Sequence, residues 1–159
     1  MKVIRKFKSN FDSFDEVLLF IEIFFLITIL PLLIKRLTVS RLMKTLTPRT
    51  VKYDNKNNYE ELKGKIVKYT DYILSRNFWV YRSTCLKRSL VLYHFLRKSG
   101  INTQICFGVR YNEDLTYINR KKRIEGHAWL LYNGDIFLEM SSEMAKTYTV
   151  TYCFPERNG

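Results

Sequence analysis

The chain has 159 residues, 47% of them apolar and 15% aromatic, which suffices for one domain with a real core, falls short of two, and excludes a disordered chain. The formal net charge is +12, of which the first fifty residues hold nine Lys/Arg against four Asp/Glu, so the charge is spread and forms no tail. Such a field favours acidic peptides, anionic lipid or nucleic acid, but without a zinc knuckle, Gly-rich clamp or recognition-helix signature no nucleic-acid partner is expected.

Taken in chain order, Val17 to Ile34 is nearly continuous apolar sequence, just long enough to span a bilayer. Glu22 would be costly in hydrocarbon, and Pro31 interrupts the run. Basic residues flank both ends (Lys2, Arg5, Lys6, Lys8, then Lys35, Arg36, Arg41, Lys44), so charge sets no orientation. The late start and the following KRLTVSR do not suit a cleaved signal peptide. The expectation is a helix ending near Pro31 and a basic amphipathic helix to about Leu46, forming a buried or membrane-surface hairpin rather than a span. This divides the chain into an N-terminal helical hairpin, 1–47, and a catalytic domain, 48–159. A polar linker covers Thr47 to Asn58. Tyr59 to Arg76 predicts a helix whose Leu62, Ile66, Tyr69 and Ile73 share one face. After the connector FWVYR, Cys85 to Ser99 predicts another, closed by Gly100 with Arg97 and Lys98 in its last turn. From Thr103 the period changes to two, and TQICFGVRY, GHAWLLY, DIFLEM and KTYTVTYCF predict four strands, with a polar loop over Tyr111 to Ile124. Helices followed by strands indicate an α+β fold.

There are three cysteines, Cys85, Cys106 and Cys153, widely spaced and without a CxxC. The odd count argues against a disulfide framework or zinc ribbon and for a reducing, cytoplasmic setting, with membrane association through the N-terminal helices as the remaining option. With only two histidines, no metal and no cofactor are expected.

Cys85 carries the chemistry. Ser83 or Thr84 can cap its helix, which puts the thiol in the first turn, where free N–H groups and the helix dipole favour a thiolate. Lys87 and Arg88 add positive potential. His94, nine residues on, lies about 180° around the same helix and faces away. His127, in GHAWLLY, is the other candidate base. The hairpin after it turns at Asn133-Gly134. A two-residue turn leaves both faces mixed. A three-residue loop, Tyr132-Asn133-Gly134, gathers Ala128, Leu130, Ile136, Leu138 and Met140 on one apolar face and sets Glu139 opposite His127. Register follows the hydrophobic pattern, so this loop is favoured. Cys85, His127 and Glu139 then have triad logic, nucleophile, base and orienting acid, with Asp135 as the rival acid. Trp129 and Phe137, on the same face as His127, are candidate walls of a substrate groove.

Cys85-Leu-x-Arg-Ser-Leu, Gly100, Gly108-Val-Arg, His127-Ala-Trp and Glu139 together resemble the leader peptidases of lasso-peptide biosynthesis, cysteine peptidases of the transglutaminase-like superfamily. The resemblance runs over roughly Tyr81 to Met140, and the apolar helical pair before Pro48 is similar to that family's N-terminal part. It implies a papain-like or transglutaminase-like fold, helices followed by an antiparallel sheet, and a Cys-His-acid peptidase that removes the leader of a ribosomally made precursor peptide. The family more commonly uses aspartate where Glu139 stands. The chain has no room for an added leader-recognition domain. The resemblance therefore implies the split form, with a separate leader-recognition protein and an asparagine-synthetase-like ring-closing enzyme as partners. An acyl transferase on the same scaffold, or a non-catalytic peptide-binding adaptor at the membrane, are the alternatives.

Overall fold

A computed structural model of the chain describes residues 14–49, 59–76, 84–112, 123–139 and 142–156. Four helices come first: α1 (Phe14–Arg36), α2 (Val39–Leu46), α3 (Tyr59–Leu74) and α4 (Cys85–Lys98). Strands β1 (Thr103–Asn112), β2 (Arg123–Tyr132) and β3 (Asp135–Phe137) follow, then a short helix α5 (Ser142–Lys146) and β4 (Thr149–Phe154). The sheet is antiparallel in the order β3-β2-β1-β4. The α+β architecture of helices followed by a four-stranded antiparallel sheet is the one expected from the sequence.

The helix ends obey local chemistry. The Thr84 hydroxyl accepts the Lys87 N–H at 3.2 Å and caps α4. At the other end Gly100 takes φ 86°. Ile101 N–H then reaches the Leu96 carbonyl and Gly100 N–H the Arg97 carbonyl, the paired closure that a left-handed glycine permits. One boundary differs: α1 runs through Pro31 to Arg36 and does not stop there. An interior proline costs a helix roughly 3 kcal/mol. Ile23, Ile27 and Leu30, fully buried before it, and Leu33 and Ile34, packed on the core after it, hold both halves in place.

The main core lies between the helices and one face of the sheet, where Ile66, Tyr69, Ile73, Leu90, Tyr93 and Leu96 meet Ile105 and Leu130. The other face carries a second, smaller cluster of Cys106, Trp129 and Ala145, ringed by Leu131, Ile136, Tyr148 and Cys153. Cys106 and Cys153 are cross-strand partners and form a disulfide. This corrects the reading of the cysteines: a wide spacing in sequence became adjacency once β4 paired with β1.

The hairpin register is also a correction. Tyr132 pairs with Asp135 and Leu131 with Ile136, so Asn133-Gly134 is a two-residue turn. Both turn residues are left-handed, φ 51° and 95°, as a type I′ turn requires. The three-residue loop was inferred from the need for one wholly apolar face. Both faces bury apolar side chains here, so that constraint is absent. A consequence is that Phe137 and Trp129 lie on opposite faces. Phe137 packs on the helix side, 5.3 Å from the Tyr132 ring and under Lys63 Nζ, whereas Trp129 belongs to the back cluster. The two do not wall one groove.

Candidate active site

His127 and Glu139 come together although the register that predicted their meeting does not exist. On strict alternation from the observed register, Glu139 would share the side of Ala128. The strand stops first: β3 ends at Phe137, and Leu138 adopts φ 56°, outside any strand conformation. That residue breaks the pleat and turns Glu139 toward His127. Oε1 of Glu139 stands 3.6 Å from Nε2 of His127, with side chains 17% and 10% exposed. The distance suits an ion pair and is too long for a hydrogen bond. His127 Nε2 is buried and has no hydrogen-bond partner among the described residues. A buried ring nitrogen left unsatisfied costs stability, and such groups gather at reactive sites.

The imidazole is held by rings. Trp129 lies near-parallel to it at 5.8 Å and 21°, and Tyr148 at 5.0 Å and 28°. Tyr148 is in turn covered by the Arg110 guanidinium at 4.6 Å. Arg110 also pairs with Glu125, its cross-strand partner, and that carboxylate holds its charge on. Gly108 sits opposite His127 in β1. A Cβ there would meet Trp129 Cη2 at 2.8 Å and the Thr149 carbonyl at 2.9 Å. Only glycine lets the indole lie across the strand beside the histidine.

Cys85 begins α4 and is half-buried. Two residues of its own helix bind it to the strands. Ser89, one turn on and on the same face as Cys85, donates its hydroxyl to the Ala128 carbonyl at 2.8 Å. Arg88 donates Nη1 to the Leu138 carbonyl at 2.7 Å, and Nε and Nη2 to the two oxygens of Asp71 in α3, at 2.7 and 3.1 Å. Pairing with β3 reaches only to Leu130, so the edge of β2 beyond it is where the first turns of α4 dock. The helix headed by Cys85 is thus clamped to the residue after His127 and the residue before Glu139. No hydrogen bond joins the thiol to His127 among the described residues.

Other side chains fall outside this group. Asp135, the rival acid, is exposed at the turn, paired with Tyr132 at the far end of β2 from His127. His94 faces α2, with Nδ1 2.7 Å from the Leu46 carbonyl. Arg88 does not serve as a free positive charge beside Cys85, because its guanidinium is committed to Asp71 and Leu138. The roles of Asp71, Ser89 and Tyr148 were not read from the sequence. Ser89 and Arg88 could have been, since they stand four and three residues after Cys85 and share its side of the helix.

Residues 28–153 match the Transglutaminase-like superfamily, and the chain belongs to it. Members of that superfamily carry out cysteine-based peptidase or acyl-transfer chemistry, and the fold described above is theirs. Neither the curated proteins nor the solved structures contain a significant match.

Proposed function

We propose that this protein is a cysteine peptidase that removes the leader from a ribosomally synthesised precursor peptide during lasso-peptide maturation. The observation that carries the reading is the clamp: Arg88 and Ser89 tie the helix headed by Cys85 to the two residues that adjoin Glu139 and His127. Arg88 and Ser89 belong to the same six-residue motif as Cys85, which supports a positioning role for that motif. The partners that go with it are the precursor peptide, a separate leader-recognition protein and an asparagine-synthetase-like ring-closing enzyme.

The reaction is acyl transfer to water. Nε2 of His127 faces Glu139, which leaves Nδ1 to exchange a proton with the thiol. The Cys85 thiolate attacks the carbonyl carbon of the amide joining leader to core, His127 gives the proton to the departing amine, and the thioester forms. Water, deprotonated by His127, then attacks the thioester and frees the leader's carboxylate. The backbone N–H of Cys85, at the start of α4, is the candidate donor to the oxyanion. Glu139 offsets the positive charge on the imidazolium in both steps.

Incubation with a leader-bearing precursor and the leader-recognition protein, followed by mass spectrometry, tests this. The wild-type chain should release an intact leader, and Cys85→Ala should release none while keeping its thermal unfolding transition. The double variant Cys106→Ala/Cys153→Ala should retain cleavage, because the two sulfurs are bonded to each other and neither is a free thiol. Cleavage lost equally in all of these would remove Cys85 from the role of nucleophile. A product joined to an added amine in place of a free acid would assign the transferase reaction.

A further inference from the structure

We propose that α1 lies flat on the surface of an anionic membrane, with one long side docked on the domain and the other buried among lipid head groups and upper acyl chains. This helix is apolar nearly all round, and the structure shows what becomes of each side. Ile23, Ile27 and Leu30 are fully buried against the core. Both glutamates are paired to the domain: Glu16, buried, with Lys65 and Tyr69 of α3, and Glu22, part-exposed, with Lys98 of α4 at 2.5 Å. The opposite side shows Phe14, Leu18, Ile21, Phe25, Ile29 and Leu32, spaced at three and four residues, with Phe14 82%, Phe25 67% and Leu32 57% exposed. At 1.5 Å per residue this stripe is about 27 Å long. So long an unbroken apolar strip needs a cover in water.

Three observations commit that cover to lipid. From Leu18 to Leu32 the outward side has no charged residue. Its one hydroxyl, that of Thr28, donates to the Phe24 carbonyl at 2.8 Å, so the strip enters an acyl layer without a free polar group. Lys35 and Arg36 follow directly, Arg36 one turn beyond Leu32, and Arg41 and Lys44 follow in α2, all exposed. An apolar strip that ends in a basic cluster complements an acyl layer edged by anionic head groups. A second copy is a poor cover, since each chain carries +12 and brings the same basic cluster to the contact. A span is also a poor solution, since it would pull Ile23, Ile27 and Leu30 out of the core and break two ion pairs.

The full chain should co-sediment with vesicles of phosphatidylcholine containing about a quarter phosphatidylglycerol, bind phosphatidylcholine alone at least about tenfold less, and be released by high salt. Phe25→Glu/Ile29→Glu should lower binding about tenfold or more with unchanged circular dichroism and melting, because both side chains are on the surface. Arg36→Glu/Arg41→Glu should abolish the preference for phosphatidylglycerol. The proposal fails if the anionic vesicles leave the chain in solution, or if the Phe25/Ile29 variant binds them as wild type does. It also fails if carbonate does not extract the bound protein and only detergent does, which would mean a span. A concentration-dependent dimer that Phe25→Glu dissolves would mean that a second copy is the cover. If either double variant does not fold, the lipid and salt dependence of the wild-type chain decides.

Discussion

The Glu139 carboxylate approaches a histidine nitrogen that has no other described partner, and each side chain is mostly shielded from water. Shielding makes the pairing matter: a charge forming on the imidazole is poorly solvated and depends on the carboxylate nearby. Contacts of this kind commonly tighten when substrate arrives. Glu139→Gln keeps shape and removes charge. It should slow the proposed cleavage by on the order of ten- to a thousandfold, less than loss of Cys85, with the fold intact. Asp135→Asn should leave turnover unchanged, since that residue is at the turn. Single-turnover cleavage rates of the two variants check this, and equal rates for both would separate Glu139 from His127 in function.

Among the elements, the docking of α4 on the strands matters most. Leu138 is in a left-handed conformation that a leucine rarely adopts, and its carbonyl is fastened by Arg88. Asp71 of α3 holds the same guanidinium from behind. Three elements therefore set the position of Glu139. A lysine cannot span two carboxylate oxygens and a carbonyl at once. Arg88→Lys should lower kcat markedly with little change in KM, while Cys85 alkylates with iodoacetamide at the wild-type rate. A fall in alkylation together with kcat would show that Arg88 acts on the thiol and not on the acid. The periodicity of α3 and α4 and the capping of α4 were legible in the sequence, because a helix is decided by neighbours within a few residues. The reach of Arg88 to Leu138 was not, since it depends on how far β3 runs before it ends.

Across the whole molecule, α2 is joined to the domain through His94. Its Nδ1–H donates to the Leu46 carbonyl, and burial pushes its pKa below the ordinary 6.5; Lys98 nearby acts in the same direction, while the hydrogen bond and Glu22 oppose it. The sign follows from linkage. Above 6.5 the ring is neutral whether the chain is folded or unfolded, and it adds no pH dependence. As pH falls below 6.5 the unfolded chain takes up a proton that the folded one resists, so stability is lost toward acid. The melting temperature should drop between about pH 7 and about pH 5.5, and His94→Asn, which can still donate to Leu46, should make that drop shallower. Parallel melting curves for the two proteins would show that His94 is not the group responsible.

The residue types and their spacing were enough to reach the α+β class, the helix that begins at Cys85, the strand that holds His127 and the superfamily. The helix and the strand rest on interactions between positions close in the chain, and the superfamily on a motif pattern that the sequence itself displays. Three further features came only from the folded chain. The disulfide formed because β4 lies beside β1 and faces Cys153 to Cys106. Proline did not end α1, because packing on both sides of Pro31 outweighed one missing hydrogen bond. Glu139 reached His127 through a broken strand, where alternation along an intact one would have turned it away. Alternation is a local rule, and it holds only as long as the strand does; β3 stops at Phe137, and beyond it Arg88 and Ser89 of α4 take the Leu138 and Ala128 carbonyls.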